Sequence, residues 1–171
     1  MKCMLITLLA VLVLAGCGGK QPVPASRLLQ PAGQFSFVTP DGWFRTKLAG
    51  IDCIIVSTET DHGVSPNIFV EGVPRPGSVS NEVARLTGAN RTGRRGYAVL
   101  QQQAFATDSG LPGVKVTARR ETKESLPLAL CHYLLQDGNR VIAITCSCAE
   151  PVKQQYEPLF DAAMKSVRAV R

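Results

Sequence analysis

Thiol chemistry is the first possibility this sequence raises. Of its six cysteines, Cys3 and Cys17 stand in the N-terminal stretch, while Cys53, Cys131, Cys146 and Cys148 are spread through the remainder. Asp137-Gly138-Asn139, between Cys131 and Cys146, has the composition of a tight antiparallel loop. A loop of Gly138-Asn139 sets Cys131 opposite Cys146. A loop of Asp137-Gly138 sets it opposite Ile144, one diagonal away from Cys146. Either register puts Cys131, Cys146 and Cys148 on one strand face with Tyr133, Leu135, Ile142 and Ile144, because strand side chains alternate with period two. That face is the expected core side. Three uses compete for these thiols: one or two disulfides, with Cys131–Cys146 the foremost pair; buried thiols packing as small apolar groups; or a thiolate site for zinc or copper(I) that Cys53 joins. Cys146-x-Cys148 is not the C-x₂-C spacing of structural zinc. A strand pair also lacks the helix N-terminus that lowers a thiol pKa in redox motifs.

Other reactive constellations are sparse. His132 falls on the opposite strand face from Cys131, and His62, in Thr60-Asp61-His62-Gly63, reads as a solvated loop residue. Two histidines without a nucleophile elbow do not make a triad, and no P-loop, G-x-G-x-x-G or H-E-x-x-H occurs. Carboxylates are scattered among turns and strand ends, with no catalytic pair set apart by spacing. No enzyme activity, catalytic residue or cofactor is expected; an envelope hydrolase is the weakest alternative. The basic residues are more organised. Arg85, Arg91, Arg94 and Arg95 fall in a stretch without an acid, and Arg119-Arg120 is a second pair. On a tethered domain the first group would meet anionic lipid headgroups or an acidic partner, unless it is merely a solvated loop.

The N-terminus carries an address. Met1-Lys2 opens a short basic start and residues 4–15 form an almost unbroken apolar run, too short to span a ~30 Å hydrocarbon core. Its length and flanks fit a signal-peptide core. Leu14-Ala15-Gly16-Cys17 resembles the bacterial lipobox. That resemblance implies a diacylglyceryl group on the Cys17 sulfur, cleavage after Gly16, and a further acyl chain such as palmitate on the new amine. Several acyl chains at ~0.8 kcal/mol per buried methylene anchor stably in a lipid bilayer. Gly18, rather than an aspartate, points to the outer membrane in a two-membrane host. An even count of mature-domain cysteines outside the cytoplasm favours disulfides. The same address separates the domain from nucleic acid, and no nucleic-acid-binding motif appears.

These groups must be positioned by the rest of the chain. With 45% hydrophobic and 19% charged residues and a net charge of +6, the composition excludes disorder, collagen and a polytopic membrane protein. Residues 1–16 read as the signal peptide, 17–32 as lipidated cysteine and Pro-containing tether, and 33–171 as one domain. Strands are expected at 35–38, 51–58, 67–71, 97–107, 114–122, 126–136 and 140–148, joined at their C-terminal end by tight turns. Val79, Val83 and Leu86 give a helix over 78–86 that stops at Gly88. A last helix puts Val152, Tyr156, Leu159, Phe160, Ala163 and Val167 on one face, with Pro158 opening or kinking it. An antiparallel meander covered by helices is an α+β sandwich.

Phe35-Ser36-Phe37-Val38-Thr39-Pro40-Asp41-Gly42-Trp43 is similar to the strand-then-P-x-G-W opening of PsbP-like proteins. Residues 133–145, then Tyr156-Glu157-Pro158-Leu159-Phe160-Asp161 and Ser166-Val167, resemble their ending. That family includes the extrinsic photosystem II subunit, a Ran-binding import factor and bacterial lipoproteins of the DcrB and LpqN type. The resemblance implies an α/β/α sandwich with a mainly antiparallel central sheet. It also implies a non-catalytic binding or assembly module, here for another envelope protein. None of the matched positions is a family-wide functional site, so no ligand or partner residue is carried over. The alternative of a different class is a metal-binding lipoprotein using the four domain cysteines.

Overall fold

The computed structural model describes residues 27–30, 34–48, 51–70, 74–88, 96–122 and 125–170. In chain order these form β1 (Arg27–Gln30), β2 (Phe35–Val38), β3 (Phe44–Leu48), β4 (Ile51–Val56), β5 (Asn67–Val70), β6 (Arg75–Pro76), α1 (Val79–Gly88), β7 (Ala98–Ala106), β8 (Pro112–Glu121), β9 (Pro127–Asp137), β10 (Arg140–Ala149), α2 (Lys153–Lys165) and β11 (Arg168–Ala169). The main sheet runs β3-β4-β5-β10-β9-β8-β7, with β6 also on β10, and every pairing is antiparallel. A small sheet, β1-β2-β11, stands beside α2.

Alternation along the strands divides the core. Tyr133, Leu135, Ile142, Ile144, Ile68 and Ile55 point to one face, where Tyr156, Phe160, Ala163 and Met164 of α2 and Phe35 and Phe37 of β2 cover them. Val116, Leu134 and Val141 point to the other, where Val79, Val83 and Leu86 of α1 pack. The result is the α+β sandwich expected from the sequence, with one helix per face. Among the described residues no helix is long and apolar enough to cross a membrane.

Two boundaries differ from the sequence reading. The tether was expected to reach residue 32, but Arg27–Gln30 is a strand on β2, and the Arg27 guanidinium donates to Ser36 Oγ at 3.2 Å. Arg-Leu-Leu-Gln has little β-branched character, so its strand state comes from pairing rather than propensity. Leu159, assigned to the buried face of the last helix, is 41% exposed; the buried stripe is Tyr156, Phe160, Ala163 and Met164, continuing to Val167. The helix runs through Pro158, which lies on its exposed side.

The hairpin that positions the thiols closes as the first of the two registers. Asp137 faces Arg140 across Gly138-Asn139, and the Arg140 guanidinium meets Asp137 Oδ2 at 2.6 Å. Gly138 takes φ +61°, the glycine position of a type II′ turn. Another glycine is fixed by close approach: a Cβ on Gly113 would stand 2.2 Å from the Leu134 carbonyl oxygen. Gly113→Ala must push β8 away from β9, and a urea titration is expected to show a loss near the top of the ~1–3 kcal/mol range for overpacking.

Candidate functional site

The structure brings three of the four domain cysteines together. Cys131 lies directly opposite Cys146 in the β9–β10 ladder, and Cys148 follows on the same face. All three are free and buried in the α2-side core. Cys53 is in β4, but its side chain lies outside the described residues, as does Cys17. Burial pushes the Cys131 thiol up to about 12, against the pull of the Lys115 ammonium. It raises Cys148 to about 11 and Cys146 well above the ordinary thiol value. At neutral pH these groups are thiols rather than the thiolates that attack or ligate metals. Among the described residues no group of three or more His, Cys, Asp or Glu side chains could hold a metal ion.

The same face holds a charged cluster that the sequence reading did not find. Lys115 faces Tyr133 across β8–β9 and is 1% exposed. Its ammonium lies 2.7 Å from Asp161 Oδ1 and 2.7 Å from Glu157 Oε1, both from α2. Tyr133 donates its hydroxyl proton to Asp161 Oδ1 at 2.7 Å, and the ammonium sits 5.6 Å from the Tyr133 ring centroid. Burial alone would lower the Lys115 pKa; hydrogen bonds to Asp161 and Glu157 outweigh it and raise the value. One helix turn away, Tyr156 donates to Asp61 Oδ2 at 2.6 Å, with Glu59 Oε2 at 3.0 Å. Burial and these carboxylates keep the Tyr156 phenol protonated. The first cluster bolts α2 to β8 and β9, and the second bolts it to the loop between β4 and β5. In the first the ammonium is balanced by Asp161 and Glu157, in the second two carboxylates stand on a neutral phenol, and both hold the surface of α2 in place.

That surface is the outward side of α2. Leu159, Ala162 and Ala163 line a groove of 380 Å³ whose other wall is Val38–Asp41. A shallower depression of 570 Å³ lies on the far side of the helix, along Gln154, Glu157, Pro158, Asp161, Ala162 and Lys165, so the cluster's carboxylates reach its floor. The wall is built by the Thr39-Pro40-Asp41-Gly42-Trp43 segment. Trp43 N–H donates to Pro40 O at 3.3 Å and Gly42 takes φ +76°, the glycine position of a type II turn. The turn drops Trp43 onto α2, edge-on to Phe160 at 6.0 Å. The P-x-G-W segment therefore shapes the groove by anchoring its rim.

Of the arginine group, only Arg85 is among the described residues. Arg85 Nε donates to Glu82 Oε2 at 2.7 Å, one turn earlier on α1, so its charge is engaged. The acid-free stretch hid this partner, which lies just before it. Arg91, Arg94 and Arg95 lie outside the described residues. His132 is on the α1 side as expected, with Nδ1 2.9 Å from Thr145 Oγ1, and His62 is exposed in its loop.

No family model matches this sequence, and no curated protein does. Solved structures do. Cyanobacterial PsbP (CyanoP) from Synechocystis sp. PCC 6803 is similar at 17% identity and a TM-score of 0.60, covering 91% of this chain and 98% of that one. The Ran-binding protein Mog1p of Saccharomyces cerevisiae is similar at 12% identity and 0.55, covering 85% and 95%. LpqN, involved in cell envelope biogenesis of Mycobacterium tuberculosis, is similar at 11% and 0.55, covering 88% of each chain. At these identities the likeness is one of fold, and the fold is PsbP-like.

Proposed function

We propose that this chain is a membrane-anchored envelope lipoprotein, held through acylated Cys17, whose PsbP-like domain is a non-catalytic binding or assembly module for another envelope protein. The observation that carries the reading is the outward face of α2. A half-exposed leucine and small residues, flanked by depressions, ride on a helix fixed from below by Lys115 and Tyr133 and tied to Asp61 through its own Tyr156. A rigid, partly apolar ridge suits protein contact, because little conformational freedom is lost on docking. Two similar folds, one Ran-binding and one involved in envelope biogenesis, support a protein partner over a small substrate. In a two-membrane host the anchor sits in the outer membrane, on its periplasmic face.

The test uses the full chain in its own host. Metabolic labelling with an alkyne fatty acid is expected to tag the wild type and not Cys17→Ala. A photo-crosslinking residue at Leu159 is expected to capture one envelope protein, while the same group at the exposed Asn81 of α1 captures none. An unlabelled wild type removes the anchor. Equal adducts from both positions remove the α2 face as the docking surface.

A further inference from the structure

The main sheet ends on one side in β3 and on the other in β7, and the two edges are built differently. β3 has five residues, carries Arg45 and Lys47, and has a register shift between Thr46 and Leu48. Those are the usual devices that stop a sheet edge from pairing with another chain. β7 has nine residues, Ala98-Val99-Leu100-Gln101-Gln102-Gln103-Ala104-Phe105-Ala106, with no charge and no proline. Its register shift lies between Val99 and Gln101, near the N-terminal end, and leaves residues 101–106 in regular pairing with β8. Leu100 is 50% exposed, and Gln101, Gln102, Gln103, Ala104 and Ala106 are exposed. Among the described residues no strand pairs with the outer side of β7. A long neutral edge presents a row of free backbone donors and acceptors.

We propose that β7 is a self-association seam, where a second copy of this chain adds its own β7 antiparallel about a two-fold axis through Gln102. The occupant follows from the side chains. A two-fold interface must be complementary to itself. A glutamine amide both donates and accepts, so Gln102 pairs with its symmetry mate and Gln101 with Gln103. Leu100 then meets Ala104, and no like charges are opposed, although each chain is basic overall. A foreign strand is commonly selected by charges, and Ala98–Ala106 carries none. The seam is small beside the ~1,200–2,000 Å² of a standard interface, so the dimer exchanges and depends on concentration. The seam lies on a different element from the α2 ridge and stands independently of the proposed partner.

Sedimentation velocity of the full chain in a density-matched detergent, over a concentration series, tests it. The wild type is expected to pass from monomer to dimer. Gln102→Lys and Gln102→Glu are each expected to move the half-dimer point to roughly five-fold higher concentration, as opposed like charges act across a strand pair. Mixing the two variants in equal amounts is expected to restore dimer at the wild-type concentration or below. Circular dichroism of each variant, matching the wild type, confirms that folding is intact. A wild type that stays monomeric throughout, or variants that dimerise like it, overturns the proposal. So does a monomer whose β7 amides gain exchange protection only when a host envelope extract is added, since that puts a foreign strand on the edge.

Discussion

Glu157→Gln combined with Asp161→Asn is expected to cost about 3–5 kcal/mol of folding stability at pH 7, whereas Lys115→Met costs less than about 2. The asymmetry follows from where the charges sit. Lys115 is 1% exposed, while the Glu157 and Asp161 side chains are 28% and 35% exposed. Removing both carboxylates strands an ammonium in the core beside Tyr133 and Cys131. Removing the lysine leaves two carboxylates that water can already reach, and methionine refills most of the volume. The amides keep an acceptor for the Tyr133 hydroxyl, so the pair of substitutions isolates charge from hydrogen bonding. The sign of the pH dependence separates this from a packing defect. In the doubly substituted protein nothing offsets desolvation, so folding releases a proton from Lys115 and stability rises with pH toward the ordinary lysine value. Urea midpoints for the three proteins between pH 6 and 9 measure it. Lys115→Met proving as damaging as the double change would show that the cluster is held together by packing, not by charge.

The long strands could be read from sequence because each is bounded by residues with one dominant conformation. Asp137-Gly138-Asn139 and Asp108-Ser109-Gly110 leave the chain few alternatives, and the strands flanking them fall within about two residues of their expected ends. The opposition of Cys131 and Cys146 follows once the loop closes on Gly138-Asn139 and pairs Asp137 with Arg140. Short elements behaved otherwise. β3, Phe-Arg-Thr-Lys-Leu, has no strong alternation and exists because β4 pairs with it. β1 and β11 are held by β2 in the same way.

The charged cluster was hidden for a different reason. Val114-Lys115-Val116-Thr117-Ala118 reads as a strand whichever way it faces, and a lysine on such a strand is ordinarily solvated. Only the register against Tyr133 shows that it points into the core. Its partners come from a helix whose Glu157 and Asp161 look like surface residues at i, i+4 spacing. Leu159 erred in the opposite direction. Beside Tyr156 and Phe160 it fits a helical apolar stripe, but the helix is rolled so that Met164 is buried instead.

Stability is expected to hold through neutral pH and to fall steeply above pH 9. Cys131, Cys146, Cys148, Tyr133, Tyr156 and Lys115 all have pKa values raised in the folded state, chiefly by burial for the acids and by Asp161 and Glu157 for the lysine. A raised folded value contributes stability that is complete below the unfolded pKa and is lost as pH climbs through the folded one. The thiols begin to act at their unfolded value of 9.0, the tyrosines at 10.0 and Lys115 at 10.5, so the losses are staggered. Cys131, displaced to about 12, contributes roughly 3 kcal/mol of the loss by pH 11 on its own. Urea midpoints in the presence of a reductant should therefore be flat to about pH 8 and drop between pH 9 and 11. Cys131→Ala with Cys146→Ala is expected to lower the plateau, because the core loses volume, and to leave a shallower fall from pH 9, carried by Cys148, that steepens when the tyrosines titrate near pH 10. Material exported to an oxidising compartment and assayed without reductant gives a further reading. If Cys131 and Cys146 join there, no thiol remains to ionise at either position, and its profile follows the shallower fall of the doubly substituted protein from a higher plateau. A profile as steep from pH 9 without reductant as with it would mean that the opposed pair stays reduced and serves as packing.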